Sequence, residues 1–142
     1  PDMSALSSIT ARQMETWAHG QEVFDALGAE RVNGDRIKNI CHLGVLTFSW
    51  TFKNRQMSAP DPVPFVNLTS PSGENWEWND NQSKSSIRGN AVEFAQVVTQ
   101  VRNIKDTSLE VIGHSADQWM SLAQCFAGAP ITPPAKGSRY KV

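Results

Sequence analysis

The feature that most constrains this chain is a change of hydrophobic period on either side of the stretch NRQMSAPDPVPF, residues 54–65. Upstream, apolar residues recur at helical spacing; downstream they alternate. A helix gathers positions i, i+3, i+4 and i+7 on one side and a strand gathers i and i+2, so the first part has to bury a stripe and the second a pleated face. Prolines 60, 62 and 64 lie between them, where neither a helix nor a central strand tolerates so many missing donors. The stretch therefore reads as an extended connection over residues 54–64.

From Ser4 to Leu27 there is no proline, and Ala, Leu, Met, Gln and Glu are frequent. Gly28 follows as a C-terminal stop, which predicts a long first helix. In RIKNICHLGVLTFSWTF, residues Ile37, Ile40, Cys41, Val45, Phe48 and Phe52 fall at helical spacing. One continuous second helix is expected, with Asp35 as its cap and Gly44 as a weak point. Beyond the prolines, PFVNLTS and NWEWND flank PSGE and predict a hairpin with Trp76 and Trp78 on one face. SSIRG reads as a third strand. NAVEFAQVVTQVRN reads as a helix capped by Asn90, with Val92, Phe94, Ala95, Val98 and Val101 as its stripe. SLEVIG reads as a fourth strand. SADQWMSLAQCFAG reads as a closing helix capped by Ser115, stopped by Gly128, and turning Trp119, Leu122, Ala123 and Phe126 inward.

The class is α+β, divided into a helical segment (1–53), a linker (54–64), a strand-and-helix unit (65–128) and a flexible, proline-rich tail (129–142). The chain opens on Pro1 and enters a helix almost at once, as a piece cut from a longer protein would.

Charge and composition exclude several partners. The 13 Lys and Arg nearly balance the 14 Asp and Glu and are scattered singly, so no stripe tracks a phosphate backbone or an anionic bilayer; neither nucleic acid nor membrane is expected. No run approaches the roughly 20 apolar residues of a membrane span, and no signal peptide is recognisable. Cys41 and Cys125 sit in apolar helical patterns and need no disulfide framework, which points to buried thiols and a cytoplasmic setting.

In METWAHGQEV, residues 14–23, Glu15 and His19 stand four apart on the first helix, so they are about 40° apart around its axis and can reach a common point. Glu22 is on that face too and so, farther round, is Arg12. Leu6, Trp17 and Phe24 form the opposite stripe, and Ala11, Ala18 and Ala26 line the flank near Glu15. A carboxylate and an imidazole suit a divalent ion, zinc first among zinc, nickel, iron and manganese, but a catalytic site needs a third protein ligand. The same spacing also describes a local helical pair worth a few tenths of a kcal/mol.

ITARQMETWAHGQEVFDALG followed by RIKNICHLGVLTFSWTF resembles the last bundle helix, and its continuation, of the mycothiol-dependent maleylpyruvate isomerase group within the DinB-like metalloproteins. LTSPSGENWEWN, IRGNAVEFAQVVTQVRN and LEVIGHSADQWMSLAQCFAG resemble that group's C-terminal region, which carries a wyosine base formation label and is similar in layout to sterol-carrier folds. The resemblance runs to about Gly128. It implies that Glu15 and His19 bind a divalent metal together with a histidine from an earlier bundle helix. It also implies a metal- and thiol-dependent isomerase or transferase, with mycothiol as cofactor and a small-molecule substrate. The metal would favour the thiolate of mycothiol, its nucleophilic form. The earlier helices and their histidine are absent from this sequence, so a missing N-terminal bundle half or another copy of the chain would have to supply them.

The remaining candidates are sparse. His42 reads as a residue using its polar edge in a packed interface, and His114 as a turn residue at a strand end. Cys41 and His42 point about 100° apart on a helix and are poorly placed to share an ion. Arg88 and Arg102 flank the third predicted helix, where they could meet an anionic ligand or cofactor or simply lie at the surface. Trp50, Trp76, Trp78 and Trp119 could line a cavity or fill the core. A non-catalytic module binding a small molecule or a protein is the alternative to an enzyme.

Overall fold

The computed structural model describes residues 5–139, with side chains from residue 8. Helix α1 (Ala5–Leu27) leads through a 3-10 turn (Asp35–Ile37) into α2 (Lys38–Leu46) and α3 (Phe48–Lys53). Strands β1 (Phe65–Thr69), β2 (Asn75–Trp78) and β3 (Ser86–Asn90) follow, then α4 (Ala91–Val98), a 3-10 turn (Ile104–Asp106), β4 (Glu110–Ile112) and α5 (His114–Leu122). The fold is α+β: N-terminal helices, then a four-stranded mixed sheet with helices.

The sheet order is β2-β1-β3-β4, with β1 antiparallel to β2 and parallel to β3, and β3 antiparallel to β4. Trp78, Val66, Ile87 and Val111 align across it in one row, and the adjacent row Glu77, Asn67, Arg88 and Glu110 faces the other way. Strand alternation thus sorts the sheet into an apolar face and a polar one. Val66, Leu68, Trp76 and Ile87 on the apolar face pack with Ile40, Cys41 and Val45 of α2, Phe94 and Val98 of α4, and Met14 and Trp17 of α1. At the centre Trp119 is fully buried, its ring edge-on to Phe48 at 5.1 Å and Phe94 at 5.8 Å. The N-terminal helices and the sheet therefore share one core.

Several local expectations hold for the physical reasons that suggested them. Gly28 ends α1 with a φ of 71°, and the Ala29 amide returns to the Phe24 carbonyl at 3.0 Å. Asn90 caps α4, its side-chain oxygen accepting from the amides of Val92 (2.7 Å) and Glu93 (3.3 Å). The hairpin forms around residues 70–74, and both cysteines are buried. Leu6, assigned to the core stripe of α1, has its side chain outside the described residues; Trp17 is buried there and Phe24 half-buried.

Others are corrected. The second helix is two helices, because Thr47 leaves helical geometry and turns its hydroxyl back to the Leu43 and Gly44 carbonyls. Gly44 lets α2 lie close against α4: a Cβ there would lie 2.8 Å from Val98 Cγ2. Asp35 caps no helix. Its carboxylate accepts from the Ser72 amide at 3.0 Å and from the Ser72 hydroxyl, tying the α1–α2 connection to the hairpin turn. Ser115 is not the cap of α5 either; the helix begins one residue earlier, and Ser115 donates to the Pro62 carbonyl at 2.6 Å. Helix α5 stops at Leu122 instead of reaching Gly128, because the chain turns extended at Ala123 and the Cys125 amide bonds the Val98 carbonyl at 2.9 Å. Tail residues 129–139 lie along the chain's own body, where Arg55 and Gln100 donate to the Ile131 carbonyl and Asp106 accepts from the Gly137 amide.

Candidate functional site

Helix α1 buries Met14, Trp17, Gln21 and Asp25, and this choice of inner face decides where the rest point. Glu15 and His19 fall on the same outward flank, both exposed, and line one open cleft of about 330 Å³. Its far wall is built by the turn after α4 (Thr99, Gln100, Val101) and by the segment after α5 (Phe126, Ala127, Ile131). The two side chains do not bond each other. His19 Nδ1 lies 3.5 Å from a carboxylate oxygen of Glu22, whose other oxygen receives Arg139 at 2.7 Å. Glu15 has no hydrogen-bond or ion-pair partner among the described residues, and no group of three or more His, Cys, Asp or Glu able to hold a metal forms there. The helix thus presents two donors of suitable chemistry to one space, fewer than the three protein ligands of a catalytic zinc-type site.

Arg88 and Arg102 are not brought together. Arg88, half-buried on the polar face of the sheet, stacks over the Phe65 ring with its guanidinium carbon 5.1 Å from the centroid. Arg102 is buried; one nitrogen reaches Asp25 at 3.2 Å and another donates to the Arg139 carbonyl. An anion at Arg102 would have to compete with Asp25. His42 lies on the exposed side of α2 and accepts a hydrogen bond from the Trp78 indole at 3.1 Å, while neighbouring Cys41 points into the core. His114 opens α5. Trp76 and Trp119 are core residues, and Trp50 and Trp78 are half-buried.

A second cavity, of about 610 Å³, was not legible in the sequence. It lies between α1 and the segment that leads to α2, and three arginines, Arg12, Arg31 and Arg36, line it together with Trp17, Val32 and Ile37. These arginines are up to 24 positions apart (36 − 12) and converge only because the chain reverses after Gly28. Burial lowers the Arg31 pKa from its ordinary value, and the charge of Asp25 partly restores it.

Two proteins of Mycobacterium tuberculosis, the uncharacterized protein MT0041 of strain CDC 1551 / Oshkosh and the uncharacterized protein Rv0036c of strain ATCC 25618 / H37Rv, are each 40% identical to this chain over 137 residues. The match covers 96% of this chain and 52% of each relative, so the chain spans about half the length of the curated relatives it matches. No family model and no solved structure matches the chain.

Proposed function

We propose that α1 supplies two ligands, Glu15 and His19, to a divalent-metal site, zinc being the first candidate. In this reading the chain is part of a thiol-dependent isomerase- or transferase-like enzyme of unassigned substrate, with mycothiol as the candidate thiol. The observation that carries the reading is their shared cleft: residues four apart on one helix flank open into the same space, and Glu15 has no hydrogen-bond or ion-pair partner among the described residues. A third ligand would come from outside the described residues, from a bundle half of the kind the resemblance implies or from another copy. The arrangement of helices followed by a mixed sheet is compatible with the end of a DinB-like bundle joined to a sterol-carrier-like unit. The metal would supply Lewis acidity, while the chain's own contribution is to present a carboxylate and an imidazole to one cleft.

The test is metal content by mass spectrometry, on this chain and on the protein at the length its host produces. One metal per natural-length protein, lost in Glu15→Ala and in His19→Ala, supports the reading. Absence of metal from both, or metal retained in both variants, refutes it. A non-catalytic binding module is the second reading; it is favoured by the exposure of the His19 side chain (82%) and by its pairing with Glu22 instead of Glu15.

A further inference from the structure

We infer that the groove between α1 and the segment joining it to α2 binds a small organic anion, a carboxylate or phosphate group carried on an apolar body. The inference does not rest on the metal reading, because the groove and the Glu15–His19 cleft share no lining residue. In a chain of net charge -1, three guanidinium groups line one cavity whose wall has no Asp or Glu among the described residues. Like charges gathered this way repel one another and raise the local concentration of anions. Guanidinium is also the side-chain group whose planar fork matches the oxygens of a carboxylate or phosphate.

The wall is built to hold one of these groups in place. The Arg31 guanidinium carbon sits 4.9 Å from the Trp17 ring centroid, and its Nη1 donates to the Trp17 carbonyl at 2.8 Å. The Trp17 indole donates in turn to Asn33 Oδ1 at 2.8 Å, pinning the connecting segment. Gly20 makes room for this: a Cβ there would come within 3.2 Å of Arg31 Nη2. Arg12 and Arg36 are exposed and have no acidic partner within 4.0 Å among the described residues, so their charge is available to a ligand.

The rim gives the second half of the ligand. Val32 is 98% exposed and Ile9 64% exposed, both lining the groove, with Trp17 and Ile37 as its floor. An inorganic anion would leave that apolar surface wet; an anion with a hydrocarbon or aryl body would cover it. The cavity volume falls in the range of about 300–1,000 Å³ typical of small-molecule sites. A small molecule is therefore favoured over an acidic peptide, and lysines and arginines elsewhere are scattered, which argues against a flat anionic surface.

The indole N–H of Trp17 is a built-in reporter, followed by ¹H–¹⁵N NMR while the chain is titrated with phenyl phosphate, benzoate, inorganic phosphate, benzyl alcohol or an acidic peptide. Phenyl phosphate or benzoate should shift it saturably, the stronger of the two identifying the head group. Inorganic phosphate should bind more weakly, and benzyl alcohol should not bind. Arg12→Gln with Arg36→Gln should weaken binding by roughly ten-fold or more. Val32→Ser, at an exposed site that leaves the fold alone, should weaken phenyl phosphate but not inorganic phosphate. The inference is overturned if neither organic anion shifts the signal at roughly 10 mM, if the neutral alcohol binds equally well, if the arginine variant binds as the parent does, or if the acidic peptide binds more tightly than either.

Discussion

Replacing Asp25 by Ala should cost about 3–5 kcal/mol of folding stability, the usual penalty for stranding a buried charge. Asp25 on α1 and Arg102 beyond α4 are 3.2 Å apart, and each side chain is only 8% exposed. Asp25 Oδ1 also accepts from Gln21 Nε2 at 3.0 Å, but Oδ2 has no hydrogen-bond partner among the described residues. The carboxylate is therefore incompletely satisfied, and such an unmade bond costs about 1–3 kcal/mol on its own. Replacing both partners, Asp25→Leu with Arg102→Met, removes two desolvation penalties and the orphaned oxygen along with the attraction. The lost bonds from Arg102 to the Arg139 carbonyl and from Gln21 to Asp25 return about 2 kcal/mol of that gain. The double variant should lie within about 1 kcal/mol of the parent, and the single variant should melt roughly 10–20 °C lower. Urea unfolding followed by tryptophan fluorescence, with thermal melts alongside, measures both. A single variant that loses less than about 1 kcal/mol, or a double variant that loses as much as the single, would refute the reasoning.

Burial raises the thiol pKa of Cys125 to about 12 and that of Cys41 higher still, so neither thiolate is populated near neutrality. Ellman's reagent at pH 8 should label both only in step with global unfolding; fast labelling of either in the folded chain would contradict the packing. Asp35 has its pKa lowered, chiefly by the Ser72 hydroxyl, with the Ser72 amide adding to it and partial desolvation opposing. A folded pKa below the unfolded one means stability that is fully present above the ordinary aspartate range and lost as pH falls through the folded value. Asp35→Asn should flatten that acid limb, and Ser72→Ala should return the Asp35 titration, followed by carboxyl ¹³C NMR, toward its ordinary range; an unmoved titration would mean the contact is not made in solution.

The local vocabulary of this fold was readable because its signals are local. Asn90 caps α4 and Gly28 closes α1 through interactions within a few residues of themselves, and the alternation of Trp76, Trp78, Val66 and Leu68 follows from strand geometry alone. Sequence misleads where a polar side chain has a local and a distant partner to choose from. Asp35 and Ser115 both have the chemistry of a helix cap, yet Asp35 reaches Ser72, 37 residues away, and Ser115 reaches Pro62, 53 residues away. The break at Thr47 has the same character, since its hydroxyl turns back on the preceding carbonyls just where the chain must bend to put Phe48 against Trp119.

The sites divide along the same line. Sequence by itself determined that Glu15 and His19 lie on one flank of a helix, because the α-helical repeat places any residues four apart within about 40° of each other. Only the tertiary structure decided that this flank looks out onto a cleft bounded by Gln100 and Phe126, that Arg102 is held by Asp25 and Arg88 stacked on Phe65, and that Arg12, Arg31 and Arg36 meet across a groove. The reason is range: helical spacing acts over a single turn, whereas those encounters depend on how one shared core draws α1, α4 and the closing segment together, and nothing in the residues' separation along the chain encodes that distance.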